Sequence, residues 1–201
     1  MAQLITIVGN SGVGKTTFTQ QLCQHAPFVT GLEQHAERPF QKLFSFDLEK
    51  YALHNQIDYL LLRAEQELAI RKSDSIGVVD GGLDQDFYVF TRGFCNKGYL
   101  TESEYQLCER TYKFFREVLP PPDLIIWLTA PLEVIAKRYA RRKRDLEIAR
   151  LEDLRDMEVL LEEWLGGVVS SPVLTIDASA DDASYSKSIS QAMNRLQSLF
   201  I

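Results

Sequence analysis

The sequence predicts a doubly wound α/β fold, a five-stranded parallel sheet with helices on both faces. Three observations carry this prediction. Five short runs, each apolar throughout rather than alternating, stand at Leu4–Val8, Phe28–Leu32, Ile76–Asp80, Leu124–Thr129 and Val173–Asp177. Continuous apolarity is the pattern of strands covered on both faces. Segments of helical periodicity separate the runs, and strand–helix alternation builds parallel sheets through crossover connections. A glycine-rich turn directly follows the first run, where a sheet of this kind can hold an anion against a helix N-terminus.

The first strand runs into Gly9-Asn10-Ser11-Gly12-Val13-Gly14-Lys15-Thr16, a complete G-x-x-x-x-G-K-[ST] loop, and a helix over 15–25 opens with Thr16 and Thr17. The strand before and the helix after give this match its weight. Glycines let the backbone curl so that several N–H groups point at one phosphate. Lys15 adds a point charge for the β- and γ-phosphates, and the Thr16 hydroxyl is placed to ligate Mg²⁺. The loop identifies a nucleoside triphosphate site with Mg²⁺ at Thr16.

Glu33 comes directly after the second strand, and a long helix follows over roughly 47–72. The third strand ends at Asp80, followed by helices over 83–94 and 101–118. Pro120-Pro121-Pro122 stops the latter before the fourth strand. Helices over 131–143 and 150–165 come next, and Gly166-Gly167 ends the second of them. After the fifth strand, which closes on Asp177, a last helix over 182–199 carries Ile189, Met193, Leu196 and Phe200 at core spacing.

Composition narrows the partners. The chain has 201 residues, 45% hydrophobic and 25% charged, which suits one domain over 1–201. A net charge of −6 argues against nucleic-acid and anionic-membrane partners. Cys23, Cys95 and Cys108 are few and widely spaced, fitting a reducing cytoplasm better than a disulfide framework. No apolar run approaches the ~20 residues of a membrane helix.

Ligands gather at the carboxyl ends of parallel strands, which singles out Glu33, Asp80 and Asp177. For Glu33 and Asp80 the alternatives are a functional carboxylate, or a solvated loop acid or helix cap. Gln56 and Arg63 share one helix face, and Asp86 and Phe90 share another. They fit a nucleobase cleft, in which the ring stacks and the amide reads the base edge. They equally fit an interhelical salt bridge beside a core phenylalanine. Between Lys137 and Arg144 six of eight residues are Lys or Arg. A nucleic-acid patch, a solvated helix face and a lid closing over phosphates are the three readings. The phosphate loop favours the lid, with Arg138 and Arg142 on one face and Arg144 just beyond.

Together these residues resemble the deoxynucleoside kinase family, which includes the deoxyguanosine, deoxyadenosine and deoxycytidine kinases. The resemblance covers nearly the whole chain. It rests on the phosphate loop, on Arg38-Pro39-Phe40…Tyr51-Ala52-Leu53-His54-Asn55-Gln56, on Asp80…Asp86…Phe90, and on Arg138-x-x-x-Arg142-x-Arg144-x-x-Glu147. It implies a P-loop kinase sheet of strand order 2-3-1-4-5 with an Arg-rich lid at about 137–150. It further implies that Glu33 is the base toward the substrate 5′-hydroxyl and that Asp80 lies near Mg²⁺. By the same resemblance Gln56 contacts the base edge, Phe90 stacks on the base, and Arg63 pairs with Asp86 beside it. Arg138, Arg142 and Arg144 become lid arginines, and Glu147 touches the sugar 3′-hydroxyl. A homodimer is usual in the family, and the helices over 47–72 and 101–118 are the candidate interface.

The implied reaction is transfer of the γ-phosphoryl group of MgATP to a deoxynucleoside 5′-hydroxyl, with purine or cytosine bases favoured. Two departures mark this chain. The family's D/E-R-S arginine, near the 5′-oxygen and the transferring group, is Gly81 here, and its serine is Gly82. Arg38, Arg92 and Arg141 are the candidates to replace that cation. The alternative functions are a monophosphate kinase of thymidylate kinase type, which needs more cation near the third strand, and a catalytically weak ATP-binding sensor or scaffold.

Overall fold

Every residue of β1 (Leu4–Gly9) is buried, which puts this strand at the centre of the sheet. β3 (Gly77–Asp80) pairs with one side of it and β4 (Leu124–Thr129) with the other, both parallel. β2 (Val29–Gly31) and β5 (Val173–Asp177) add the two edges, giving the order β2-β3-β1-β4-β5. The fold class and strand order expected from the sequence are both present. The structure, a computed structural model, describes residues 1–31, 38–141, 152–180 and 184–200.

Helices α1 (Lys15–Leu22), α7 (Leu132–Arg141) and α9 (Ser186–Phe200) cover one face. There Ile5, Ile7, Ile126 and Leu128 of the sheet meet Phe18, Leu22, Ile135, Ile189 and Leu196. Val8 and Ile125 face the other side, where Met157, Leu160, Leu161 and Trp164 of α8 (Asp153–Gly166) close over them. α3 (Leu48–Arg71) covers β3 through Ile70 and Val79. The edge strands depart from the expected two-sided burial. Val29 and Thr30 are exposed, and in β5 only Ile176 is buried.

Element boundaries show what local sequence controls. α3 begins where the Asp47 side chain accepts from the Lys50 N–H, an N-cap. α6 (Glu102–Val118) begins with a full Thr101–Glu104 capping box. α2 (Pro39–Phe46), with Pro39 in its first turn, was not expected. Phe40, Leu43 and Phe44 stand at helical spacing, but the helix is short and shallowly packed: Phe44 is buried, whereas Leu43 and Phe46 are exposed. The single helix expected over 83–94 is α4 (Leu83–Gln85), a π-helical segment Asp86–Thr91, and α5 (Arg92–Asn96).

Two polar braces hold this frame. Arg116 of α6 donates to both Glu67 oxygens of α3 at 2.8 Å and to Asp84 of α4 at 2.8 Å. The Tyr112 hydroxyl donates to the same Asp84 oxygen at 2.7 Å. Burial pushes the Glu67 carboxyl up, while the Arg116 guanidinium pulls it down. Such a cluster stabilises only while all its members are paired; removing one leaves a buried charge exposed to the low dielectric.

The second brace reaches the phosphate loop. The Asn10 amide nitrogen donates to the Leu154 carbonyl and to Glu158 Oε2, each at 2.7 Å, tying the loop to α8. Burial raises the Glu158 pKa above its ordinary 4.5, against the hydrogen bond from Asn10. A carboxyl with a raised folded-state pKa contributes stability that is complete at low pH and lost as pH rises through the raised value. Glu158→Gln keeps an acceptor for Asn10 without the charge. The variant should melt with the native protein below about pH 4 and at higher temperature at neutral pH. A native protein that is the more stable of the two at neutral pH would contradict this.

Candidate active site

The phosphate loop is shaped by its backbone. Gly14 sits at φ 113° at the start of α1, in the left-handed region that L side chains rarely adopt. A Cβ there would stand 2.1 Å from the Tyr185 hydroxyl. Lys15 folds back over the loop, its ammonium donating to the Gly9 and Asn10 carbonyls at 3.0 and 3.2 Å. Gln85 clamps Gly9 from α4, accepting from its N–H and donating to its carbonyl, both at 3.1 Å. The Asn10 side chain points to α8, Val13 is in the core and Thr17 is exposed.

Thr16 and Asp80, expected at a metal, are in contact. The Thr16 hydroxyl donates to Asp80 Oδ2 at 2.6 Å. Asp80 is buried, and its Oδ1 has no hydrogen-bond partner among the described residues. An orphaned buried carboxylate oxygen beside a hydroxyl is a hard-oxygen pair, and fits Mg²⁺, which uses few protein ligands and completes its shell with phosphate and water. Among the described residues no group of three or more His, Cys, Asp or Glu could hold a metal.

The base-site candidates also meet. Arg63 of α3 is 3% exposed and Asp86 of the π-helical segment 5%. Arg63 Nε donates to Asp86 Oδ2 at 2.7 Å. Its Nη1 donates to the Asp80 carbonyl at 3.0 Å and to Gln66 at 3.2 Å. Gln56 Nε2 donates to the Asp86 carbonyl at 3.0 Å, which the Thr91 hydroxyl also reaches at 3.0 Å. Single π-helical turns of this kind are frequent at functional sites. Phe90 is half-buried and lines a cleft with Leu48, Phe94, Tyr99 and Met157. Arg63, Asp86 and Gln56 are thus brought together, whereas the described contacts of Phe90 lie in the neighbouring cleft.

The remaining candidates divide. Arg138 donates to the Val13 carbonyl at 3.0 Å, to Ala178 at 2.7 Å and to Ala180 at 2.8 Å. In the described contacts it joins the phosphate loop to the exit of β5. Asp177 accepts from the Ser179 N–H at 2.8 Å and organises that turn. Glu33, Arg142, Arg144 and Glu147 lie outside the described residues. Arg38 is paired with Asp58 and Arg92 with Glu163, so neither is directed at Gly81 by these contacts.

Gln85, the Asn10–Glu158 contact and Tyr185 over Gly14 carry no local sequence pattern. Each depends on residues brought together from distant parts of the chain. The Arg63 contact with the β3 turn was hidden for the same reason.

Comparison with known proteins agrees with this geometry. A profile of the deoxynucleoside kinase family matches residues 5–200. The deoxyadenosine/deoxycytidine kinase of Bacillus subtilis is 29% identical over 86% of this chain and 81% of its own. A probable thymidylate kinase of Saccharolobus solfataricus is 27% identical over 90% and 91%. The structure of a deoxyadenosine kinase from M. mycoides, with products dCMP and a flexible dCDP bound, superposes with a TM-score of 0.81. It covers 98% of this chain and 100% of its own at 24% identity. The chain belongs to the deoxynucleoside kinase family.

Proposed function

We propose that this enzyme transfers the γ-phosphoryl group of ATP to the 5′-hydroxyl of a deoxynucleoside whose base carries an amino group, a purine or cytosine. The observation that carries the reading is a continuous chain of contacts, Thr16–Asp80–Arg63–Asp86–Gln56. It links the triphosphate loop to the base-site group through the end of β3. The Asp86 carboxylate and the Gln56 amide oxygen are acceptors, suited to an exocyclic amino donor.

Asp80 and Thr16 are the residues that would hold Mg²⁺, which when bound neutralises charge on the β- and γ-phosphates. Lys15 supplies a second positive charge there. Glu33 accepts the 5′-hydroxyl proton, and Arg138, Arg142 and Arg144 close a lid over the phosphates while Glu147 meets the 3′-hydroxyl. These roles come from the family resemblance. Phosphoryl transfer asks the protein mainly for alignment and charge neutralisation. Three cysteines without disulfide partners suit a cytoplasmic setting.

A second reading, phosphorylation of a nucleoside monophosphate, is favoured by the similarity to the probable thymidylate kinase. Labelled ATP with a panel of deoxynucleosides and their monophosphates separates the two. Label should appear on deoxynucleosides. Lys15→Ala should lower transfer by about a hundredfold or more at an unchanged melting temperature. Glu33→Gln should lower it by about a hundred- to ten-thousandfold. Label on monophosphates alone would favour the second reading, and full activity of Glu33→Gln would remove the proposed base.

We also propose a homodimer. Leu61 and Leu68 of α3 and Leu107, Phe114 and Val118 of α6 are exposed apolar residues. Within each helix they recur at spacings of seven or four, and the two helices pack side by side. A second copy of the same surface would cover them. Phe114, 59% exposed, is the most protruding of the five. Phe114→Glu should sediment as a monomer where the native chain sediments as a dimer. A monomeric native chain at micromolar concentration would refute the interface.

A further inference from the structure

We infer that Arg63 serves the phosphoryl-transfer end of the cleft as well as the base end. One guanidinium joins base recognition to charge neutralisation at the acceptor oxygen. The inference deepens the proposed function and rests on it.

The geometry begins at the β3 turn. Gly81 has φ 87°, and a Cβ built there would lie 3.2 Å from Arg63 Nη2 and 3.7 Å from its Cζ. A side chain at position 81 would therefore start where the Arg63 guanidinium already stands, on a backbone conformation that disfavours any side chain. The glycine and the arginine form a single feature. The open turn makes the space and the guanidinium occupies it.

The described contacts orient the guanidinium on both edges. Nε is held by Asp86, which fixes the plane from the base side. The edge bearing Nη1 and Nη2 faces the Asp80–Gly81 turn, with Nη1 on the Asp80 carbonyl at 3.0 Å. The same Asp80 takes the Thr16 hydroxyl on its carboxylate. Asp80 and Ile7 are paired across β3 and β1, so Arg63 approaches from β3 the sheet end that Lys15 approaches from β1.

Among the described residues the Arg63 guanidinium is the group that stands within 4 Å of a Cβ built at Gly81, while Arg38 pairs with Asp58, Arg92 with Glu163, Arg71 with Asp123, and Arg116 with Glu67 and Asp84. The Arg63 side chain is 4% exposed. A fixed charge in so dry a place acts strongly on charge that develops nearby and needs no reorganisation. Gly81 leaves the turn without a cation of its own, and Arg63 supplies one.

The test uses the full chain, with kcat and KM for deoxyadenosine and deoxycytidine at saturating ATP. Arg63→Gln should lower kcat by about a hundredfold for both nucleosides, while Arg63→Lys should retain at least about tenfold more kcat than the Gln variant. Millimolar guanidinium ion should raise the kcat of Arg63→Ala, a response that a purely structural role would not give. Equal kcat in the Lys and Gln variants overturns the inference, as does an Ala variant that guanidinium leaves unchanged. Changes confined to KM and to the ranking of bases also overturn it. If the Ala variant does not fold, the Lys and Gln pair decides. Failure of the proposed function itself is distinguishable, because the native chain would then label no deoxynucleoside.

Discussion

The buried Asp80 carboxylate, held by the Thr16 hydroxyl at 2.6 Å, is the constraint on which the rest of the site depends. Burying an ionised carboxylate is costly unless it is paired, hydrogen-bonded or bound to metal. Here one oxygen meets the phosphate loop and the other has no hydrogen-bond partner among the described residues. The residue's own carbonyl carries Arg63. A single strand end therefore holds the phosphate loop and the Arg63–Asp86–Gln56 group in fixed relation. This is the alignment that in-line phosphoryl transfer requires.

The surrounding fold keeps that strand end rigid. β1 and β3 are buried throughout and paired in register, from Leu4 opposite Gly77 to Ile7 opposite Asp80. Gln85 and Asn10 fix the loop from α4 and α8, and Arg116 ties α3, α4 and α6 behind the base site. The buried polar groups are thus concentrated where geometry matters, while the wide sheet faces are closed by aliphatic packing. That division is consistent with charge networks contributing specificity of arrangement more than net stability.

Much of the fold was legible because it follows from local chemistry. The apolar runs of β1, β3 and β4, the glycine loop and the triple proline each act within a few residues. α2 escaped because its eight residues offer only a short pattern, Phe40, Leu43 and Phe44, of which Phe44 is buried. The π-helical segment escaped because one wide turn inside a helical run leaves no separate pattern in the sequence. Within the site, the pairing of Arg63 with Asp86 was foreseen from spacing and resemblance. The third contact of Arg63, with the β3 turn, was not, because the absence of a side chain at Gly81 does not say what fills the space.

The account rests on Asp80 as the joint between two ligands, and its most direct measurement is the single-turnover rate of phosphoryl transfer in Asp80→Asn with ATP and deoxynucleoside both shown to be bound. The account predicts a rate lower by about a hundred- to a thousandfold with the melting temperature retained. A rate close to that of the native enzyme would contradict it.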